Sequence, residues 1–181
     1  MKFILVHGLG HGGWCWEKTK NELEARGHEV VAPDLPLTSL SDDADAVARL
    51  VEAHSPAVVV GHSYGGLVIS FAAARTKGTI SHLVYLAAAM VSPEEDYLAI
   101  VAQHATPLSA SLIDNDGTWL TVSPENAAQA FYNECDEATT KSAVARLRPT
   151  SVNCHIITEP PPAPWQETDS LFIVCTRDGA M

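Results

Sequence analysis

Short apolar runs alternate with helical patterns along the first half of the chain. Each run is rich in Val, Ile or Leu and is continuous instead of alternating with polar residues, which is typical of strands covered on both faces. Strands that alternate with helices predict a parallel sheet with right-handed crossovers. The runs are FILVH (Phe3–His7), HEVVAPDLP (His28–Pro36), AVVVG (Ala57–Gly61) and SHLVYLAAA (Ser81–Ala89).

The helical patterns between these runs have recognisable ends. The first stops at Gly27, a residue that suits the position just past a helix C-terminus. A second helix is predicted near Asp42–Ala53, with Ser41 as its N-cap. A metal site is the alternative interpretation of the acidic residues at its start, which also suit the positive end of a helix dipole: Asp42, Asp43 and Asp45. After the third run, LVISFAAAR (Leu67–Arg75) predicts a buried helix.

A different pattern begins at Ser92. Ser92-Pro93-Glu94-Glu95 predicts a capping box with proline in the first turn of a helix, and Ser123-Pro124-Glu125 predicts another helix start. Between them, Asp116-Gly117 suits the turn of a β-hairpin. A last helix is predicted near Ala138–Arg148. This stretch is therefore expected to be a mostly helical insertion.

The chain then returns to the sheet through a proline-rich connector, EPPPAPW (Glu159–Trp165), which is unsuited to helix or inner strand. SLFIVCT (Ser170–Thr176) predicts one more buried strand. The predicted division is a core of residues 1–91 and 166–181, with residues 92–165 forming the cap insertion and the proline-rich return.

Length and charge narrow the classes of partner. The 181 residues suffice for one domain with a full core. A net charge of −11 without any run of Lys or Arg disfavours nucleic acid and anionic membranes as partners. The apolar stretch at the N-terminus is too short for a signal peptide, so the predicted location is cytoplasmic. Four scattered cysteines are interpreted as structural thiols, with a metal or redox role as the alternative: Cys15, Cys135, Cys154 and Cys175.

Ser63 is the main candidate for chemistry. It lies in GHSYG, a G-x-S-x-G pattern between an apolar strand and an apolar helix, which is the context that a nucleophile elbow requires. The Tyr64 N–H that follows it would stabilise a developing oxyanion. The alternative is a small serine in a tight turn. A second oxyanion donor is expected from the glycine-rich loop HGLGHGGWCW (His7–Trp16), which follows the first strand.

Four motifs together, HGLGHGGWCW, GHEVVAPDLP, GHSYGG and SLFIVCTRD, resemble the α/β-hydrolase superfamily. Within it they resemble the branch of plant methylesterases, hydroxynitrile lyases and their bacterial esterase relatives. The resemblance implies an open, mostly parallel sheet with helices on both faces and a helical cap. It also implies that Ser63 is the nucleophile, that the amides of Leu9 and Tyr64 form the oxyanion hole, and that Asp178 is the triad acid. An exposed loop aspartate is the alternative interpretation of Asp178.

The sequence departs from that branch at the triad base. The family places its histidine after one further strand, whereas this sequence stops at Met181, so that strand, the histidine and the closing helix are absent. The histidines present lie elsewhere: His7, His11, His28, His54, His62, His82, His104 and His155. The chain is therefore expected to be a fragment or one piece of a cleaved enzyme, inert by itself, with an open sheet edge that a missing segment or a homodimer partner would cover.

The leading functional prediction is a serine hydrolase that acts on carboxylic esters of small or medium size, methyl esters among them, without cofactor or metal. Gly8 and Trp119 are predicted substrate contacts, Trp119 on an apolar cap that also carries Phe131 and Tyr132, and a place in the core of the cap is the alternative for these three aromatic residues. A hydroxynitrile lyase is one alternative, although that relative has threonine where this chain has Gly8. A ligand-binding relative without turnover is the other.

Overall fold

The computed structural model describes residues 1–108 and 113–176 of the chain. The strands of this part are β1 (Lys2–Val6), β2 (Glu29–Val31), β3 (Ala57–Ser63), β4 (Ile80–Ala88), β5 (Ile113–Asn115), β6 (Trp119–Val122), β7 (Thr150–Ser151) and β8 (Ser170–Ile173). The α-helices are α1 (Glu17–Ala25), α2 (Leu40–His54), α3 (Gly65–Arg75), α4 (Tyr97–His104), α5 (Pro124–Phe131) and α6 (Glu137–Val144). Single turns of 3₁₀-helix cover Gly13–Trp16, Val152–His155 and Pro164–Gln166.

The main sheet has five parallel strands in the order β2-β1-β3-β4-β8. Successive residues of its inner strands pack into different cores: Ile4 belongs to the core on the α2 and α3 face, whereas Leu5 packs with Trp16 on the other face. Val59 and Val60 of β3 are divided in the same way. Both faces are covered, which explains why these strands are continuous apolar runs in the sequence and confirms the predicted mostly parallel sheet.

The start of α2 differs from the prediction. Ser39 is the N-cap and accepts a hydrogen bond from the Asp42 N–H at 3.1 Å, whereas Ser41 lies inside the first turn. Asp42 is an exposed first-turn acid, as predicted. Asp43 is fully buried instead. Two residues later, Asp45 pairs on the surface with Arg75. The three aspartates therefore have three different surroundings.

The start of α4 also differs. The hydrogen bonds of the predicted capping box are present, since the Ser92 N–H and hydroxyl both donate to the Glu95 carboxylate at 2.8 Å. They close a turn, however, and the helix begins only at Tyr97, with Asp96 as its N-cap. The box therefore forms one turn before the helix it was expected to start.

The segment between β4 and β8 contains more strand than predicted. Strands β5 and β6 form the expected hairpin around Gly117, whose φ of 89° requires a residue without a side chain, and β7 adds a third antiparallel strand. Helix α5 begins at Pro124 after Ser123, as predicted. Helix α6 ends at Val144, before the predicted Arg148.

The prediction that the last strand is buried is wrong for the described part of the chain. β8 pairs with β4 on one side, and its apolar residues are exposed, with Leu171 at 56% and Val174 just beyond at 68%. Within the described residues, no helix has the length and apolarity needed to cross a membrane. All four cysteines are free thiols, of which Cys154 is buried and Cys135 and Cys175 are exposed.

Candidate active site

Ser63 lies at the junction of β3 and α3 in a strained backbone conformation. Its φ is 54°, in the left-handed region that non-glycine residues rarely adopt. Glycines on either side allow strand and helix to approach closely. A side-chain carbon added to Gly61 would lie 2.5 Å from the Gly65 carbonyl oxygen, and one added to Gly65 would lie 2.7 Å from that of Val6. This is the geometry that the G-x-S-x-G pattern predicts.

Gly8, in the loop after β1, lies directly against Ser63. A carbon added to Gly8 would be 2.9 Å from Ser63 Cβ and 3.3 Å from its Oγ. Any side chain at position 8 would therefore occupy space next to the Ser63 hydroxyl. The structure thus brings together the elbow and the glycine-rich loop. No side chain of the described residues is hydrogen-bonded to Ser63 Oγ.

Hydrogen bonds fix the orientation of the two peptide groups that carry the predicted oxyanion-hole amides. His7 Nδ1–H donates to the Gly8 carbonyl at 2.8 Å. Because a trans peptide points its C=O and N–H in opposite directions, this bond also fixes the direction of the Leu9 N–H. The Ala89 N–H likewise donates to the Ser63 carbonyl at 2.9 Å and so fixes the Tyr64 N–H. Neither the Leu9 nor the Tyr64 N–H has an acceptor among the described residues.

His7 is fully buried and uses both ring nitrogens. Because a carbonyl oxygen only accepts, Nδ1 carries the proton, and Nε2 accepts the Leu35 N–H at 2.9 Å. Burial lowers the pKa of His7 from 6.5 to about 4, against the opposing effect of its bond to the Gly8 carbonyl. His7 therefore stays neutral at physiological pH and acts as a rigid support for the loop.

A buried polar cluster fixes the other side of the elbow. The Asp43 carboxylate accepts hydrogen bonds from the Tyr64 hydroxyl at 2.8 Å and from the Leu37 N–H at 2.8 Å, and Cys154 Sγ lies 3.8 Å away. Burial raises the pKa of Asp43, opposed by its bond from Tyr64, and raises the pKa of Cys154 to about 12. Tyr64 is thus tied to α2 through its side chain while its amide stays beside Ser63.

Sequence reasoning missed this cluster because the sequence does not reveal which first-turn aspartate of α2 points inward. A signal was present: Asp43 is three residues from Leu40 and four from Val47, on the buried face of the helix. The chemistry of the cluster is structural, since its protonated donors and its carboxylate satisfy one another.

The other predicted site residues make no described contact with this group or lie outside the described residues. Trp119 is on β6 with 41% of its surface exposed, and its described contacts do not include Gly8, Leu9, Ser63 or Tyr64. Asp178 lies outside the described residues. Within residues 1–108 and 113–176, no cluster of three or more His, Cys, Asp or Glu side chains could hold a metal ion.

The histidines of the described residues contact groups other than Ser63. His7 and His11 bond to the carbonyls of the glycine-rich loop. His62 has its ring edge-on to Trp16, His54 bonds to Glu29, and His155 stacks on Tyr97. In the described part of the chain, therefore, none of the histidines is hydrogen-bonded to Ser63 Oγ.

Comparison with known proteins places these features in a family. The model of the alpha/beta hydrolase family matches residues 3–181. Methylesterase 18 of Arabidopsis thaliana is 29% identical over 208 residues, covering 98% of this chain and 78% of its own length. Norfluorocurarine synthase 1 of a Strychnos species is 30% identical, covering 83% and 66%. Methyl jasmonate esterase 1 of Vitis vinifera is 28% identical, covering 99% and 79%.

Solved structures agree on the fold. A variant of tomato methylketone synthase I complexed with beta-ketoheptanoate superposes with a TM-score of 0.82 at 26% identity, covering 97% of this chain and 79% of that one. Polyneuridine aldehyde esterase superposes with a TM-score of 0.84 at 21% identity, covering 99% and 81%. The chain therefore spans 66% to 81% of the length of these proteins.

Proposed function

This chain belongs to the alpha/beta hydrolase family, and from that premise we propose that it is a serine hydrolase that cleaves carboxylic esters through an acyl-enzyme on Ser63. The observation that carries the proposal is the elbow. Ser63 has a φ of 54° and lies against Gly8, and two amides, that of Leu9 next to Gly8 and that of Tyr64 next to Ser63, have no acceptor in the described part of the chain. Such preorganised N–H groups stabilise negative oxygen in a transition state.

The reaction follows from this arrangement. The Ser63 hydroxyl gives its proton to a base while its oxygen adds to the ester carbonyl carbon, and the carbonyl oxygen takes the negative charge between the Leu9 and Tyr64 amides. When the tetrahedral adduct collapses, the alcohol leaves with the proton from the base. Water then attacks the acyl-serine by the same route and releases the acid. The two amide donors do not reorganise during the reaction because their peptide planes are already held.

Assignment of the remaining triad members is also a proposal. The motif SLFIVCTRD, which resembles the corresponding stretch of the family, supports Asp178 as the acid that orients a histidine base. The histidines of the described part have other contacts, so we assign none of them as the base.

Small or medium carboxylic esters, including methyl esters, are the proposed substrates. The names of two relatives, a methylesterase and a methyl jasmonate esterase, support this class over the hydroxynitrile lyase alternative. Gly8 supports it as well, because it leaves the space beside Ser63 Oγ open for an ester carbonyl. Trp119, exposed on β6, is proposed as an outer contact for the substrate.

The arrangement of the chain supports a division into core and cap. We propose a core of residues 1–91 and 166–181, since β4 and β8 pair in one sheet, with residues 92–165 forming the cap and its proline-rich return. Free and partly exposed cysteines are typical of proteins from reducing compartments, which supports a cytoplasmic location.

Acylation of Ser63 tests the proposal directly. The 181-residue chain is incubated with p-nitrophenyl acetate, and nitrophenol release is followed together with the intact mass. We expect slow release, because none of the described histidines is assigned as the base, with an added acetyl group on the peptide that contains Ser63, and loss of that acetyl group in Ser63→Ala.

Ser41→Ala is the matched control because Ser41 is a surface serine on α2, bonded to Arg75. It should acylate like the parent chain. Acylation that persists at the parent rate in Ser63→Ala would refute Ser63 as the nucleophile.

A further inference from the structure

The cap segment is bonded to the loop that carries the Leu9 amide. Helix α5 is followed by Tyr132, whose hydroxyl lies 2.8 Å from His11 Nε2. His11 Nδ1 lies 2.8 Å from the Leu9 carbonyl. Because the carbonyl only accepts, Nδ1 carries the proton, and neutral Nε2 accepts the Tyr132 O–H. A chain of two hydrogen bonds thus runs from the cap to the backbone of Leu9.

Strand β7 holds the other end of the same peptide unit. The Gly10 N–H donates to the Thr150 hydroxyl at 3.0 Å, and the Gly10 carbonyl accepts the Arg148 N–H at 2.8 Å. The Leu9 carbonyl and the Gly10 N–H belong to one planar peptide. His11 therefore fixes one side of that plane and Thr150 fixes the other.

These contacts lie in a protected environment. His11 and Thr150 are buried. The His11 ring also stacks on Trp14 with centroids 5.5 Å apart and meets Phe131 edge-on at 5.3 Å. Burial lowers the pKa of His11. The ring is therefore fixed in one orientation and one tautomer, and its hydrogen bonds are partly shielded from water.

We propose that Tyr132 and Thr150 are positioning residues that clamp the Leu9–Gly10 peptide and thereby set the Leu9 amide for the oxyanion. The proposal rests on the proposed ester hydrolysis. His7 fixes the Gly8–Leu9 peptide from the core, and the cap fixes the next peptide, so both neighbours of the Leu9 Cα are held. Loss of the cap bonds would free the Leu9–Gly10 peptide and leave the Leu9 N–H held on one side only, by His7, so that it could tilt away from the developing charge.

The test replaces Tyr132 by phenylalanine, which removes the hydroxyl and keeps the ring. Tyr97→Phe is the matched control, because the Tyr97 hydroxyl also bonds to a histidine of the same segment, His155 Nδ1 at 3.3 Å, but not to the loop. We expect Tyr132→Phe to lower the rate of Ser63 acylation by p-nitrophenyl acetate by about 10- to 100-fold, less than loss of a donor costs, with KM changed less than about twofold. Tyr97→Phe should match the parent chain.

A second readout does not depend on activity. Long-range ¹H–¹⁵N spectra of the parent chain should show His11 as the Nδ1–H tautomer, and the Leu9 amide resonance should shift in Tyr132→Phe but not in Tyr97→Phe. If the parent chain shows no Ser63-dependent acylation, the proposed function fails for this chain while the spectra still decide the clamp. Unmoved His11 and Leu9 signals overturn the proposal, and so does an unchanged acylation rate where the parent rate is measurable.

Thr150 provides an independent pair of variants if Tyr132→Phe does not fold. Thr150→Val removes the acceptor for the Gly10 N–H at nearly constant volume, and Thr150→Ser keeps it. We expect the serine variant to retain at least half of the parent acylation rate and to keep the Leu9 amide resonance at its parent position. The valine variant should have a lower rate and a displaced Leu9 resonance. Equal behaviour of the two variants contradicts the clamp.

Discussion

His7 shows how a buried side chain can support the loop that lies beside the candidate nucleophile. Its Nδ1–H and Nε2 bond to Gly8 and Leu35, and the first bond directs the Leu9 amide. Only the neutral ring can make both bonds, because protonated Nε2 would face the Leu35 N–H. The same contacts that support the loop therefore make the fold sensitive to acid.

The fold should lose stability in acid through His7. Its pKa is about 4 in the folded chain, against about 6.5 when unfolded, so between these values the unfolded state binds a proton that the folded state refuses. The contribution of His7 to the free energy of unfolding is then fully present above pH 6.5 and is lost as the pH falls towards 4. This loss amounts to up to about 3 kcal/mol. Urea unfolding at several pH values between 7 and 4 measures this slope.

Two glutamine variants isolate the contribution of His7. His7→Gln can donate and accept without titrating, so its slope should be shallower than that of the parent chain. His82→Gln changes an exposed histidine of β4 and should leave the slope unchanged. A slope in His7→Gln equal to that of the parent chain would show that other groups, such as buried His11 and half-buried His155, account for the acid sensitivity.

At the scale of elements, helix starts separate what the sequence predicts from what it does not. Ser39, Ser41 and Asp42 all lie near the start of α2, and each residue type is common at N-caps. In the structure Ser39 is the N-cap, because Leu40 packs into the core as the first residue of the helix. Local chemistry thus predicts that a helix begins here, whereas tertiary packing decides at which residue.

The N-cap can be tested by comparing two serines. Ser39→Ala removes the acceptor of the Asp42 N–H and should lower the free energy of unfolding by about 1 kcal/mol. Ser41→Ala removes only an exposed bond from Arg75 and should cost less than about 0.5 kcal/mol. Urea unfolding at neutral pH measures both. A larger loss in Ser41→Ala would instead support Ser41 as the cap.

At the scale of the whole molecule, sequence motifs predicted more of the structure than hydrophobic periodicity did. The parallel sheet and the elbow at Ser63 could be predicted because continuous apolar strands and G-x-S-x-G have few structural interpretations. The addition of β7 to the β5-β6 hairpin and the Asp43 cluster could not, since both depend on contacts between residues far apart in sequence. Asp43 and Tyr64 are separated by 21 positions, and Gly10 and Thr150 by 140. Such pairs appear only when the fold is assembled.

The open side of β8 should make the 181-residue chain self-associate. Leu171, Phe172 and Ile173 are exposed beside backbone groups that have no partner strand in the described part of the chain, and such an edge favours pairing with another chain. Light scattering after size exclusion should give a mass that rises above 19.4 kDa with concentration. Leu171→Lys should weaken the association by about tenfold, equivalent to about 1.4 kcal/mol.

Leu98→Lys is the matched control, because Leu98 on α4 is equally exposed at 56% but lies away from the edge. If both variants weaken association equally, general surface apolarity is responsible, and if the parent chain stays monomeric, the β8 edge does not drive pairing.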